Sequence, residues 1–202
     1  TSPEILNSNF VANGGPGVYI SGGDNGLLLT NSTITAKSTS AIIENFAEVI
    51  GLDVNADSGI TAATNIGYVS DSNFKANSNI SVTSPEILNS NFNGGFYVYI
   101  SGGDNGALLT NSTITSNKDV YIKNFAEVIG LNVNSYGKIE AIDTIGYVAD
   151  SDWQAVGTID LTSSVDIVNS NFSADVAITL SAEGDIINST INSMTAKQLL
   201  TS

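Results

Sequence analysis

One seven-residue phrase recurs throughout the chain and constrains its fold more than any other feature. EILNSNF occupies residues 4–10, recurs unchanged at 86–92 and returns as DIVNSNF at 166–172. The pattern aligns ten times on its last hydrophobic residue, here called the anchor, at intervals of 18 to 24 residues. A period near 20 residues is typical of solenoids, in which each repeat is one coil stacked on the last. The anchors are Phe10, Ile34, Val54, Phe74, Phe92, Ile114, Val133, Trp153, Phe172 and Ile191.

The position three residues before each anchor indicates a tight turn. It holds only Asn, Asp or Gly, the residues that best tolerate a left-handed backbone. The position five residues before each anchor is always aliphatic, so the phrase predicts strand, corner, strand with the anchor in the core. The polar members of this turn column are Asn7, Asn31, Asp71, Asn89, Asn111, Asp150, Asn169 and Asn188, and Gly51 and Gly130 complete it.

A second apolar segment precedes the phrase in most coils, as at Val18–Ile20 and Val98–Ile100. These segments alternate with period two and are rich in β-branched residues. A helical apolar stripe is only weakly suggested, at residues 40–49 and in the last eight residues. The sequence therefore predicts an all-β, single-stranded parallel β-helix of about ten coils, each of roughly 20 residues and stacked at about 4.8 Å.

A longer repeat is superimposed on the coil. Residues 19–35 and 99–115 differ at one position, and residues 45–55 and 124–134 also differ at one. A four-coil block (1–82) thus recurs as a second copy (83–162), and 163–202 begin a third. We expect one continuous solenoid over residues 1–202 rather than two domains.

Composition limits the class of protein. An apolar fraction of 42% is enough for a core, whereas the net charge is −14 with six Lys, no Arg, no His and no Cys. Such an acidic chain is a poor partner for a phosphate backbone, so no nucleic acid is expected. No apolar run is long enough for membrane insertion. The chain opens at Thr1 without a basic-then-apolar leader, so we expect a processed protein or a fragment.

The coils of about 19–20 residues, the N-S-x-aliphatic corners and the Asn/Thr/Ser/Gly-rich walls resemble the passenger rods of secreted filamentous-haemagglutinin-like adhesins. The resemblance covers nearly the whole chain and concerns the rod alone. It implies a right-handed β-helix in an extracellular, cell-surface location, and it transfers no catalytic residue.

Two groups of acidic residues are candidate metal ligands. The position six residues before the anchor alternates between acidic and apolar or Tyr residues over eight coils, and then places Asp166 and Asp185 on adjacent coils. Asp53, Asn55 and Asp57 are spaced like the start of a calcium loop, but Ser58 stands where that loop needs Gly. The alternatives are a solvated outward row and a polar bend. We expect no cofactor, with calcium as the open alternative.

We expect a non-enzymatic extracellular rod for adhesion or filament structure, with cell-surface glycans or other cells as possible partners. Joining the chain's last residues, QLLTS, to the first residues of another copy, TSPEILNSNF, gives a sequence much like one coil within the rod. That coil is TIDLTSSVDIVNSNF, at residues 158–172. We therefore also expect copies to associate head to tail, although cuts in a longer rod would give the same match.

Two other functions remain open from the sequence. A carbohydrate-active or carbohydrate-binding β-helix would have to rely on carboxylates such as Asp71 and Asp150, since His, Cys and Arg are missing. An ice-binding solenoid would need stacked Thr-x-Thr arrays. Thr33–Thr35 and Thr113–Thr115 supply two such triplets, but the coils between them break the array.

Overall fold

The computed structural model describes residues 4–23, 27–103, 106–194 and 198–201. Within these ranges the chain is all-β, without a helix, and forms a parallel β-solenoid as the sequence predicts. Every strand pairing in the described residues is parallel and joins one coil to the next. No described segment is a helix long and apolar enough to cross a bilayer.

One sheet consists of the strands that carry the anchors, and we call it the anchor sheet. Its ten strands are separated by nine turns of the solenoid, so the structure has about nine turns. Adjacent strands keep their register, so that each anchor lies opposite the next. The strands are Asn9–Ala12, Thr33–Ala36, Asp53–Ala56, Asn73–Ala76, Asn91–Gly94, Thr113–Ser116, Asn132–Ser135, Asp152–Ala155, Asn171–Ala174 and Thr190–Ser193.

The other sheet has 17 strands and forms the remaining wall, so we call it the wide sheet. Most coils contribute two short strands to it, whereas three coils contribute one long bent strand of 10 or 11 residues. One of these long strands includes all but the first residue of the weakly helical stretch at residues 40–49. The strands are Glu4–Leu6, Val18–Ser21, Leu27–Thr30, Ala41–Ile50, Ile60–Ser70, Ile80–Thr83, Glu86–Leu88, Val98–Ser101, Leu108–Thr110, Val120–Lys123, Phe125–Ile129, Ile139–Ala149, Thr158–Ser163, Ile167–Val168, Ala177–Ala182, Ile186–Ile187 and Gln198–Thr201.

The core is a set of stacked columns between the two sheets. The eight anchors from Ile34 to Phe172 are at most 1% exposed, because each has a coil above and a coil below it. Phe10 and Ile191, in the two outermost anchor strands, are only partly buried and pack against this core. Aromatic anchors stack directly where they are neighbours, as with Phe74 on Phe92 at a ring-centroid distance of 5.3 Å. A single hydrophobic core thus runs along the described solenoid.

All ten turn-column residues adopt a left-handed backbone. The Asn and Asp members have φ between 47° and 51°, and the two glycines have φ of 62° and 64°. At Gly130 a Cβ would lie 2.5 Å from Oδ1 of Asn111 on the preceding coil. The Asn111 side chain would therefore have to move to admit a larger residue at this position.

Candidate functional site

The serine that follows most turn residues forms a hydrogen-bonded ladder along the corner. The Ser72 hydroxyl donates to the Ser70 carbonyl at 2.7 Å and accepts the Leu52 backbone N–H at 3.1 Å. The Ser72 N–H in turn donates to the Ser90 hydroxyl at 3.3 Å. Sequence reasoning assigned these serines only a small size. Their position beside a turn, at the same place in eight coils, was the available sign of a bridging role.

We expect Ser72→Ala to lower the free energy of unfolding by about 1–3 kcal/mol, because it leaves the buried Leu52 N–H without its acceptor. Urea unfolding followed by far-UV circular dichroism measures this difference. Ser81→Ala is the matched control, since Ser81 lies on the outward side of strand Ile80–Thr83. Its expected cost is under about 0.5 kcal/mol. Equal costs for the two variants would show that the ladder contributes nothing.

Three of the four aspartates singled out as metal ligands accept hydrogen bonds from N–H donors of the protein. Asp166 accepts the Asp185 backbone N–H at 2.8 Å, and Asp57 accepts the Ser38 N–H at 2.8 Å. Asp53 accepts the Asn73 side-chain amide at 3.1 Å, and Asn55 faces outward two residues further along the same strand. Within the described ranges no three acidic side chains are grouped so that they could hold a metal ion. The geometry gives these carboxylates a place in inter-coil hydrogen bonds.

The outward face of the anchor sheet is flat and polar. Side chains that flank the anchors form two columns of mainly Asn, Thr and Asp. Asparagine amides in the first column donate to the side-chain oxygen of the preceding coil, as from Asn171 to Asp152 Oδ1 at 2.7 Å. A shallow open groove of about 460 Å³ lies between the columns over four coils, from Asn132 to Asn192. The Thr-x-Thr triplets 33–35 and 113–115 lie on this face with three coils between them. The face is therefore built of amide rows rather than threonine rows.

A second surface combines aromatic rings with half of the chain's lysines. We call Tyr97, Tyr99, Lys118, Tyr121, Lys123 and Lys138 the aromatic–lysine patch. It covers three successive coils, with three of its residues on strands of the wide sheet and three just before such strands. Tyr99 lies opposite Tyr121 in the strand register, and the rings of Tyr97 and Tyr121 are 6.3 Å apart. The sequence pattern does not reveal this patch, because its lysines are far apart along the chain and come together only through coil stacking.

Each lysine of the patch lies over a tyrosine ring. The ammonium nitrogens of Lys118, Lys123 and Lys138 are 5.0, 5.1 and 4.9 Å from the ring centroids of Tyr97, Tyr99 and Tyr121, respectively. Such cation–π contacts favour the charged amine.

Two of these lysines have further polar contacts. Lys118 donates to the Tyr97 hydroxyl at 2.9 Å, and this hydrogen bond raises the pKa of Lys118 above its ordinary value. Lys138 forms an ion pair with Glu140, and its hydrogen bond to that carboxylate raises the pKa of Lys138. The patch therefore keeps these positive charges at neutral pH.

Comparison with known proteins adds no family to this description. No protein-family model matches the chain, and neither a curated protein nor a solved structure is significantly similar to it.

Proposed function

We propose that the chain is a non-enzymatic structural and adhesive rod that acts outside the cell. The observation that carries this proposal is the in-register stacking of two parallel sheets over about nine turns. Backbone hydrogen bonds, the serine ladder and amide-to-carboxylate hydrogen bonds such as that from Asn89 to Asp71 all connect one coil to the next. Bonds of this kind, repeated at every coil, produce a stiff rod with a polar, uniform wall. The Asn-, Ser- and Thr-rich surface is one that secreted β-solenoids commonly present.

End-to-end association is the second part of the proposal. In the described residues, Glu4–Leu6 pairs only with Leu27–Thr30, and Gln198–Thr201 pairs only with Ala177–Ala182. The outermost strand of a sheet can accept another strand by β-augmentation. Another copy of the chain can fill these edges, as can further coils if the chain belongs to a longer rod. The expected junction of Ser202 with Thr1 lies outside the described residues.

The carbohydrate-active alternative receives no support from carboxylate spacing. Asp71 and Asp150 lie four coils apart, which corresponds to about 19 Å at 4.8 Å per coil. Glycosidases hold their two carboxyl groups about 5–9.5 Å apart. Each carboxylate also accepts a hydrogen bond from the amide of the next coil, Asn89 and Asn169, respectively.

The proposal is tested on the purified full chain in two steps. Negative-stain electron microscopy should show straight rods, and sedimentation velocity should show species that lengthen as concentration increases. The same protein is incubated with neutral and acidic polysaccharides, and new reducing or unsaturated ends are measured. We expect no turnover. Turnover that Asp71→Asn or Asp150→Asn abolishes would overturn the non-enzymatic proposal, and a monomer at all concentrations would overturn head-to-tail association.

A further inference from the structure

The two four-coil blocks present different side chains at the place where the second block carries the aromatic–lysine patch. Tyr19 and Tyr99 occupy equivalent positions, and the sequence around them is nearly identical in both blocks. In the first block Ile42 lies opposite Tyr19, whereas in the second Tyr121 lies opposite Tyr99. The first block therefore provides, within the same molecule, the form of this surface without the patch.

Charge also reverses between the two blocks at this place. Glu44 lies opposite Ser21, and its carboxylate accepts a hydrogen bond from the Tyr19 hydroxyl. The equivalent residue of the second block is Lys123, which lies opposite Ser101 and contacts the Tyr99 ring. Duplicated coils need neither the added rings nor the added cations to stack, because the first block stacks without them. The added tyrosine ring and lysine charge of the patch are therefore not required for folding alone.

The chemistry of the patch favours an anionic sugar polymer. Half-exposed tyrosine rings offer flat apolar surfaces with polar hydroxyls, which suit the C–H faces of sugar rings. Ammonium groups beside them suit carboxylate or sulfate groups, through charge-assisted hydrogen bonds. The cations lie on two successive coils and the rings on two, so the patch covers about 10 Å of the rod axis. A linear polymer lying along the axis can contact all of it.

We propose that the aromatic–lysine patch binds an anionic polysaccharide, with tyrosine rings stacking on sugars and lysines contacting their carboxylate or sulfate groups. This inference rests on the proposed function in one respect, since an extracellular rod meets such polymers. Elsewhere the chain is strongly acidic, with a net charge of −14 overall, so polyanions are repelled from the remaining surface. Two carboxylates border the patch, Asp119 beside Tyr121 and Glu140 beside Lys138, against its three lysines, so positive charge still exceeds negative charge there.

Binding of the full chain to immobilised polygalacturonate, dextran sulfate and neutral dextran tests the proposal. We expect binding to at least one polyanion, none to dextran, and weaker binding as salt is added. The two polyanions separate carboxylate from sulfate recognition. Lys118→Gln/Lys123→Gln should weaken binding about tenfold or more. Lys37→Gln/Lys75→Gln is the matched control, because it removes the same charge from two exposed lysines outside the patch, and it should leave affinity within about twofold.

A second variant tests whether a loss of binding comes from the patch itself rather than from misfolding or from the lost lysine charge alone. Tyr121→Ile/Lys123→Glu converts two patch positions to the residues of the first block, which already stack in this fold. It should keep the parent's circular dichroism spectrum and lose measurable polyanion binding. The proposal would be overturned if the parent bound neither polyanion. It would also be overturned if both lysine double variants lost affinity equally, or if duplex DNA competed for the protein as strongly as the polyanion does.

Self-association through the patch would also overturn the polysaccharide proposal. It would be seen as a dimer of the parent that Lys118→Gln/Lys123→Gln does not form. None of these results concerns the rod itself. Electron microscopy and the turnover assay test the rod proposal separately. A rod that binds no polyanion would therefore contradict only the proposal for the patch.

Discussion

Trp153→Ala should lower the free energy of unfolding by about 3–5 kcal/mol, the usual cost of truncating a large buried aromatic residue. Trp153 is 1% exposed and stacks on Phe172 with a ring-centroid distance of 6.0 Å. The anchors above and below it are held by the strand register, so the coils cannot close over the cavity. Chemical denaturation followed by circular dichroism measures the loss.

Trp153→Phe is the control, because phenylalanine already occupies this column at Phe74, Phe92 and Phe172. The indole Nε1 of Trp153 is buried and has no hydrogen-bond partner among the residues that the structure describes. Removing that unsatisfied donor offsets part of the lost packing. We expect this variant to lose less than half as much stability as the alanine variant.

Fluorescence provides a second measurement of burial, since Trp153 is the chain's single tryptophan. Emission from the native protein should be blue-shifted and should move to longer wavelength on unfolding. A native emission maximum close to that of free tryptophan in water would contradict the buried position.

The fold could be predicted from sequence because a solenoid turns a linear period into a spatial column. Aligning residues on Phe10 and its nine counterparts placed the turn residues in one row and the core residues in another. Each row is chemically uniform: aliphatic or aromatic in the core, Asn, Asp or Gly at the corner. Only local steric preference and burial are needed to interpret such rows.

The contacts on the surface could not be predicted in the same way. Lys138 contacts the ring of Tyr121, and Lys118 bonds to the hydroxyl of Tyr97, 21 residues away. Long flexible side chains reach across coils, and the intervals between coils vary, so column alignment does not define their partners. The deciding observation is the difference between Glu44 and Lys123 at equivalent positions, which acquires meaning only once the strand register is known.

The bend in the wide sheet was also beyond the sequence pattern. Residues 40–49 carry a weak helical periodicity, yet all of them except Ser40 lie in the long strand Ala41–Ile50. A register shift between Ile43 and Glu44 marks a bend in that strand. Beyond it, Phe46 points into the core rather than outward. The shift in alternation at the bend imitates a helical spacing of apolar residues.

Asn89→Val should destabilise the solenoid by about 2–4 kcal/mol, because it forces a β-branched residue into a left-handed backbone. Asn89 has φ of 49°, and its side-chain amide donates to Asp71 Oδ1 at 3.2 Å on the preceding coil. The substitution adds the strain of the left-handed conformation and removes this hydrogen bond. Thermal unfolding followed by circular dichroism measures the effect as a decrease in the melting temperature relative to the parent.

Asn93→Val is the closest control, since it makes the same chemical change four residues later in the same coil. Asn93 is exposed on the extended strand Asn91–Gly94, and Val11 holds the equivalent position in the first coil. Valine suits an extended strand, so Asn93→Val should change stability by less than about 0.5 kcal/mol. Any difference between the two variants then reports the backbone conformation rather than the loss of an asparagine.

Asn89→Gly isolates the strain still further, because glycine adopts positive φ without steric cost and occupies this column at Gly51 and Gly130. It should cost about 1 kcal/mol, from the lost hydrogen bond and the greater freedom of the unfolded chain. The order of stability should therefore be parent, then glycine, then valine. If valine were tolerated as well as glycine, the corner would not require a left-handed residue, and the repeated Asn, Asp and Gly would need another explanation. Since each coil contacts only its neighbours, a strained corner at mid-rod weakens the stacking of the coils on both sides.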